Sequence, residues 1–274
     1  DLHLCDRRQR QMCIRDSVAM LLLLSSCGSV PLTGRKQVLL VSDQEVLSSS
    51  LTQYSDYMKS AKKSSSKDGA AMVIRVGKKI AAATEQYLRN NGLESEIKNF
   101  AWEFNLVNDP QVNAFCMPGG KIVVYEGLMQ LVSSDDELAV VVGHEVAHAV
   151  AKHSNERMSQ QLMAQYGAQI LGQALSNKSA AVQKIGASVY GLGAQYGVML
   201  PFSRKHESEA DYMGLVFMAM AGYNPAVAVN FWQKMSAGKS GSTPEFMSTH
   251  PSDATRINEI KQHLPEIEKY RVKK

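Results

Sequence analysis

His144 and His148 stand four residues apart in the segment His144-Glu145-Val146-Ala147-His148. On a helix this spacing puts both imidazoles on one face, where they can grip a single metal ion, with Glu145 placed to reach a water on that ion. The chemistry such a trio serves is hydrolysis. Zinc acts as Lewis acid and the glutamate takes the proton of the attacking water. The neighbours support this reading. Val140, Val141, Val142, Val146, Ala149 and Val150 make the helix apolar almost all round, which marks it as buried, and Gly143 and Ala147 leave room around the motif. Two histidines and a glutamate inside an apolar helix need partners, and a metal supplies them.

A catalytic zinc takes three protein ligands and keeps one position for water. Downstream candidates for the third are His153, Glu156, His206, Glu207, Glu209, His250 and His263. His153 lies five residues past His148, off the gripping face, and is expected at the surface. In the segment Ser203 to Asp211, Glu207 and Asp211 are four apart and share a face, while Glu209 is rotated about 200° from Glu207. Glu207 can ligate while Asp211 accepts the N–H of a ligand histidine. The same two acids also fit a solvated acidic face beside Arg204 and Lys205, and the residues alone leave the choice open.

The segment HEVAH followed by SRKHESEADYMG resembles the HtpX and CAAX-prenyl-protease family of zinc peptidases, which carry HExxH and then a Glu-x-x-x-Asp helix. Val112-Asn113-Ala114-Phe115 with Pro118-Gly119-Gly120 resembles that family's edge strand beside the cleft. Ser248-Thr249-His250-Pro251 resembles its late His-Pro turn. The similarity spans roughly residues 40 to 265 and is nearest to the periplasmic lipoprotein members, which lack transmembrane helices. It implies an α+β, mainly helical, zincin-like fold with a small sheet, and one Zn2+ per chain held by His144, His148 and Glu207. Glu145 is then the general base and Asp211 the acid behind a ligand.

An extended peptide can add to the edge strand, with Asn113, Ala114 and Phe115 as the substrate-binding stretch. Asn113 alternatively caps the turn after Asp109-Pro110, and Cys116 and Met117 fill space at the strand end. His250 has three readings: a donor to the oxyanion, an occupant of the open zinc position as the resemblance allows, or a plain loop residue before Pro251. The function this implies is an endopeptidase acting on extended or misfolded polypeptides, in periplasmic quality control with outer-membrane assembly machinery as a possible partner. The alternative is a chaperone-like assembly factor with a structural or plugged zinc site. Glu145 speaks against that, since a structural site needs no base.

The elements that must position these groups are legible in part. Ser42-Asp43-Gln44-Glu45 has capping-box spacing and opens a helix to about Lys63, and Met72 to Asn90 predicts a second, stopped by Asn91-Gly92. Trp102, Phe104 and Leu106 alternate with polar residues as in a strand. Val112 to Phe115 and Lys121 to Tyr125 flank Pro118-Gly119-Gly120 as a hairpin. Ser134-Asp135-Asp136-Glu137 starts the HEVAH helix. Gln160 to Met199, rich in Ala, Gly and Gln, is either a lid or a packed helical pair. Helices are predicted over Ser203 to Ala221, Pro225 to Met235 and Asp253 to His263, with a loop at Gly238 to Thr243.

The chain has 274 residues, of which 45% are hydrophobic and 7% aromatic, with a formal net charge of +4. That supports one sizeable core and excludes a nucleic-acid partner, since no basic patch is interleaved with stacking residues. Residues 1–17 resemble the translation of a sequencing adapter. Residues 18–26 look like the remnant of a lipoprotein signal, with Leu24-Ser25-Ser26-Cys27 as a lipobox and Cys27 as the lipidated residue. Residues 27–37 are expected as a polar tether and 38–270 as one metallopeptidase domain. The resulting placement is periplasmic, lipid-anchored to the outer membrane of a Gram-negative bacterium and touching the membrane by its lipid alone. With Cys5 and Cys13 in the leader and Cys27 lipidated, Cys116 has no disulfide partner.

Overall fold

The computed structural model describes residues 27–180, 182–184, 187–188, 200–237, 246, 250 and 254–272. The expected adapter and signal segments, the Gly238 to Thr243 loop, residues 189–199, and Ser248, Thr249 and Pro251 lie outside them.

Strands β1 (Cys27–Ser29) and β2 (Lys36–Val38) pair antiparallel, with Cys27 opposite Val38. Residues 27–37 are therefore no free tether. The reason is Arg35, whose guanidinium reaches two largely buried carboxylates, Glu156 and Glu209, and draws the hairpin onto the body. Helix α1 (Asp43–Ser60) carries the predicted capping box in full: Ser42 Oγ accepts from the Glu45 amide and Glu45 Oε2 accepts from the Ser42 amide. Helix α2 (Lys67–Asn90) begins five residues before the expected Met72 because Ser66 Oγ accepts from the Gly69 amide and caps it there. Its inner face carries Val73, Val76, Ile80 and Leu88.

The sheet has strands β3 (Glu103–Val107), β4 (Ala114–Met117) and β5 (Lys121–Tyr125) in the order β3-β5-β4. β5 runs parallel to β3 and antiparallel to β4, and every one of its residues is buried, as a central strand covered on both faces requires. β4 is thus an edge, as expected. The β4–β5 turn needs its glycines: Gly119 and Gly120 have φ of 92° and 80°, and a Cβ on Gly120 would lie 2.5 Å from the Trp102 ring.

Helix α3 (Asp135–Val150) starts at Ser134, whose Oγ accepts from the Glu137 amide, and is buried over most of its length. Lys152 follows in the left-handed conformation at φ 58°, and the chain turns sharply into α4 (His153–Leu175). Lys152 is held there by Asp43 and Glu96, at 2.6 and 2.9 Å. Helices α5 (Leu200–Met220), α6 (Val227–Ala237) and α7 (Ala254–Ile267) complete the described body.

The decisive packing is α3 on α5, where the helices meet backbone to backbone. A Cβ on Gly143 would lie 2.9 Å from the Gly214 carbonyl oxygen, and one on Gly214 would lie 2.8 Å from the Gly143 carbonyl carbon. Two glycines at the crossing let the HEVAH face touch the Glu207–Asp211 face directly. The fold is α+β and mainly helical, and its main core runs through α2, α3, α5 and α6.

Candidate metal centre

Helix α3 presents His144 and His148 side by side, with their Nε2 atoms 3.0 Å apart. Across the glycine crossing, α5 brings Glu207, whose carboxylate lies 3.3 Å from His144 Nε2 and 3.4 Å from His148 Nε2. His250 closes the group: its Nδ1 is 3.1 Å from Glu207 and 3.3 Å from His144 Nε2. All four donor atoms lie within 4.8 Å of one another. Ligands of a tetrahedral zinc, bonded at about 2.0–2.1 Å, stand roughly 3.3 Å apart, so the group has the spacing of a metal's coordination shell.

Proton accounting supports the fit. His144 Nδ1 donates to Asp211 Oδ1 at 3.0 Å, which leaves Nε2 as a bare lone pair facing the Nε2 of His148. Two imidazole nitrogens face to face at that distance share either a proton or a metal ion, and the carboxylate of Glu207 beside both favours the metal. Burial by itself would lower the His144 pKa, but the hydrogen bonds to Asp211 and Glu207 outweigh it and raise it to about 9. Without a metal the site would draw in a proton. Burial would likewise raise Glu207, yet its contacts with His144 and His250 hold it far below the usual carboxylate range. Arg256 pairs with two buried carboxylates, Glu207 and Asp211, and the buried Glu145 adds a third acidic group beside His250, an acidic surplus that a divalent cation offsets.

Glu145 is fixed by one hydrogen bond, accepting at Oε2 from the Cys116 amide of β4 at 3.0 Å. Its other oxygen, Oε1, is buried, accepts no hydrogen bond and lies 3.5 Å from His250 Nε2. Burial pushes the Glu145 carboxyl up, opposed by His250 and His144. A carboxylate with one anchored and one free oxygen, and a raised pKa, is suited to accept a proton.

The structure thus brings together His144, Glu145, His148, Glu207, Asp211 and His250. Glu207 and Asp211 are buried, so the solvated acidic face is excluded. Glu209 and His206, the other candidates for third ligand, sit elsewhere: Glu209 bonds His153 at 3.0 Å and His206 bonds Glu156 at 2.9 Å. Asn113 turns its side chain onto its own strand, with Oδ1 accepting from the Ala114 amide, as a local cap does. Phe115 points away from α3, packing on Tyr57 and Tyr125.

Two residues at the centre escape the sequence reading. Arg256 donates to both Asp211 oxygens and lies 3.2 Å from Glu207, with Trp232 beneath its guanidinium. It comes from α7, and no motif marks it. His153, expected at the surface, is buried with its Nδ1 2.8 Å from His148 Nδ1. The left-handed Lys152 turns it back under α3, and such a turn at a lysine leaves no trace in the sequence.

The pattern of peptidase family M48 matches residues 75–264. The chain belongs to peptidase family M48. Members of this family are zinc-dependent metallopeptidases, and the donor group above is that of a zinc site. Among similar proteins is the mitochondrial metalloendopeptidase OMA1 of Schizosaccharomyces pombe, 37% identical over 183 residues, covering 64% of this chain and 50% of that protein. The protein of the same name from Arabidopsis thaliana is 40% identical over 168 residues, covering 61% of this chain and 33% of its own length. The beta-barrel assembly-enhancing protease of Yersinia pestis is 33% identical over 174 residues, covering 59% of this chain and 36% of the relative. The chain spans half or less of the length of these three M48 relatives.

These matches narrow one expectation and correct another. The three relatives above carry names other than HtpX and the prenyl proteases, so the zinc-metallopeptidase resemblance holds at the level of M48. The expected periplasmic, lipid-anchored placement is overturned, because M48 relatives from fungi, plants and animals are named as mitochondrial. Among the described residues no helix is long and apolar enough to cross a membrane.

Proposed function

We propose that this chain is a zinc-dependent endopeptidase that hydrolyses peptide bonds of extended or misfolded polypeptides in protein quality control. The observation that carries the reading is the juxtaposition of Glu145, with its free Oε1, and a four-donor group at metal-ligand spacing. His144, His148 and Glu207 would hold the zinc. When bound, zinc supplies Lewis acidity, acidifying a water and polarising the scissile carbonyl.

The chain's own residues do the rest. Glu145 Oε1 takes the proton of the attacking water and delivers it to the leaving amine, while the Cys116 amide keeps the carboxylate aimed. Asp211, clamped by Arg256, keeps His144 in the tautomer that ligates. β4, an edge strand among the described residues, offers backbone to an extended substrate beside Glu145. A cavity bounded by Val46, Leu47, Phe100, Pro118 and Gly119 opens next to His148 and gives room for an apolar substrate side chain.

His250 Nδ1 stands among the ligand atoms, so in this conformation it fills the fourth metal position. This favours a self-inhibited resting state over oxyanion donation. His250→Ala is expected to raise basal cleavage of unfolded casein several-fold. A loss of turnover would restore the oxyanion role.

The function is tested with Glu145→Gln. Casein hydrolysis is expected to fall about 10²–10⁴-fold while one zinc per chain is retained, and a chelator is expected to silence the wild type. Cleavage that survives both treatments would leave the assembly-factor reading, with a structural metal, as the better account.

A further inference from the structure

His144 has an evident orienting partner in Asp211, but His148 needs one as well. A ligand imidazole must present a lone pair to the metal, and the proton on its other nitrogen must go to an acceptor. The acceptor facing His148 Nδ1 is the Nδ1 of His153, at 2.8 Å. His153 Nε2 in turn donates to Glu209 Oε2 at 3.0 Å. Glu209 also accepts from Arg35 Nε at 2.8 Å and from the Thr33 hydroxyl. The Arg35 guanidinium can only donate and holds Glu209 as an ionised acceptor, so Glu209 fixes the proton of His153 on Nε2. His153 Nδ1 is then a lone pair, so the proton shared with His148 belongs to His148 Nδ1. The Nε2 of His148 is thereby left bare, pointing at His144 and Glu207.

The outer end of this chain is as fully bonded as the inner end. Arg35 uses Nη1 and Nη2 on the two oxygens of Glu156, at 2.8 and 2.7 Å, and Glu156 accepts from His206 Nε2 at 2.9 Å. His206 stacks on His153, with centroids 4.2 Å apart and planes 17° from parallel, which sets the rotation of the His153 ring. Thr33 and Arg35 belong to the hairpin between β1 and β2, outside residues 75–264. We infer that His153, Glu209 and Arg35 are positioning residues for His148, and that the N-terminal hairpin is thereby a working part of the metal centre.

The inference rests on the zinc reading of His144, His148 and Glu207, and it is tested by zinc affinity, which needs no substrate. The full chain is stripped of metal and titrated with zinc against a chromogenic chelator. His153→Phe keeps the ring stacked on His206 but can neither accept from His148 nor donate to Glu209. It is expected to weaken zinc binding about 10–100-fold. His153→Gln, whose amide can accept from one neighbour and donate to the other, is expected to recover part of that loss. Arg35→Leu is expected to act in the same direction and less strongly. The visible spectrum of the cobalt-substituted protein is expected to change in His153→Phe, and a merely structural role would leave it unmoved.

Thermal unfolding of the metal-free variants shows which of them fold. Should His153→Phe not fold, Arg35→Leu and Glu209→Gln carry the same test from farther away. Zinc affinities within twofold of wild type in the folded variants overturn the inference and leave the zinc centre standing. Failure of the wild-type chain to bind zinc overturns both.

Discussion

The two histidines of the centre are held by unlike supports. Behind His144 stands a carboxylate, Asp211, clamped by the buried Arg256, so a full negative charge reinforces the ligand directly. Behind His148 stands a neutral acceptor, His153, with the carboxylate one residue farther away and the balancing guanidinium on the half-buried Arg35. The first support is drawn from α5 and α7, deep in the core. The second is drawn from α4, from Glu209 of α5 and from a hairpin of twelve residues, Cys27 to Val38. His144 is therefore braced by the body of the fold alone, and His148 in part by its periphery.

The change expected to do most damage removes both supports at once. Gly214→Val places a side chain where a Cβ already lies 2.8 Å from backbone of α3, which cannot yield as a side chain would. The helices are forced apart, and a loss of about 3 kcal/mol or more is expected in urea unfolding, along with all zinc binding. A well-folded variant that still binds zinc would show that the ligand faces do not need backbone contact. Next in size, Asp211→Asn should weaken zinc binding more than His153→Gln does, because it removes a charge in direct contact with a ligand and weakens the clamp of Arg256. The comparison fails if the two cost the same.

The smallest effect is on acid behaviour. The Glu156 carboxyl is buried, which alone would raise its pKa, but Arg35 and His206 pull it down to about 2. A carboxyl depressed on folding stabilises the folded state fully above its ordinary value of 4.5, and this contribution is lost as the pH falls through about 2. The hairpin should therefore unlatch on acidification. Hydrogen-exchange protection across residues 27–38, corrected for the intrinsic rate at each pH, is expected to fall below pH 4.5 in the wild type and to be low already at neutral pH in Arg35→Leu.

What the sequence made legible follows from helical periodicity. The i,i+4 spacings of His144 with His148 and of Glu207 with Asp211 put each pair on a face, and the apolar run around HEVAH required burial. Gly143 already hinted at a close approach, although its partner Gly214 could not be named from the sequence. Groups supplied by tertiary contact stayed hidden. Arg256 sits in a helix with no motif of its own. His153 is buried because one lysine adopts a conformation that glycine or asparagine would have advertised. Arg35 lies in what reads as polar linker until two buried carboxylates are known to await it. The expected compartment came from a short apolar segment followed by Cys27, and a local signal of that kind does not outweigh relatives aligned over most of the domain.

The order of assembly has a consequence for the cell. His144 and Glu207 are 63 positions apart in the chain, His250 is a further 43 along, and Arg256 lies 112 past His144. During synthesis HEVAH emerges long before the residues that complete and brace it. A half-made chain therefore carries the two histidines and the base but no finished centre. On the proposed reading, such a chain would not cut its neighbours or itself, and hydrolysis would begin only once α7 has docked.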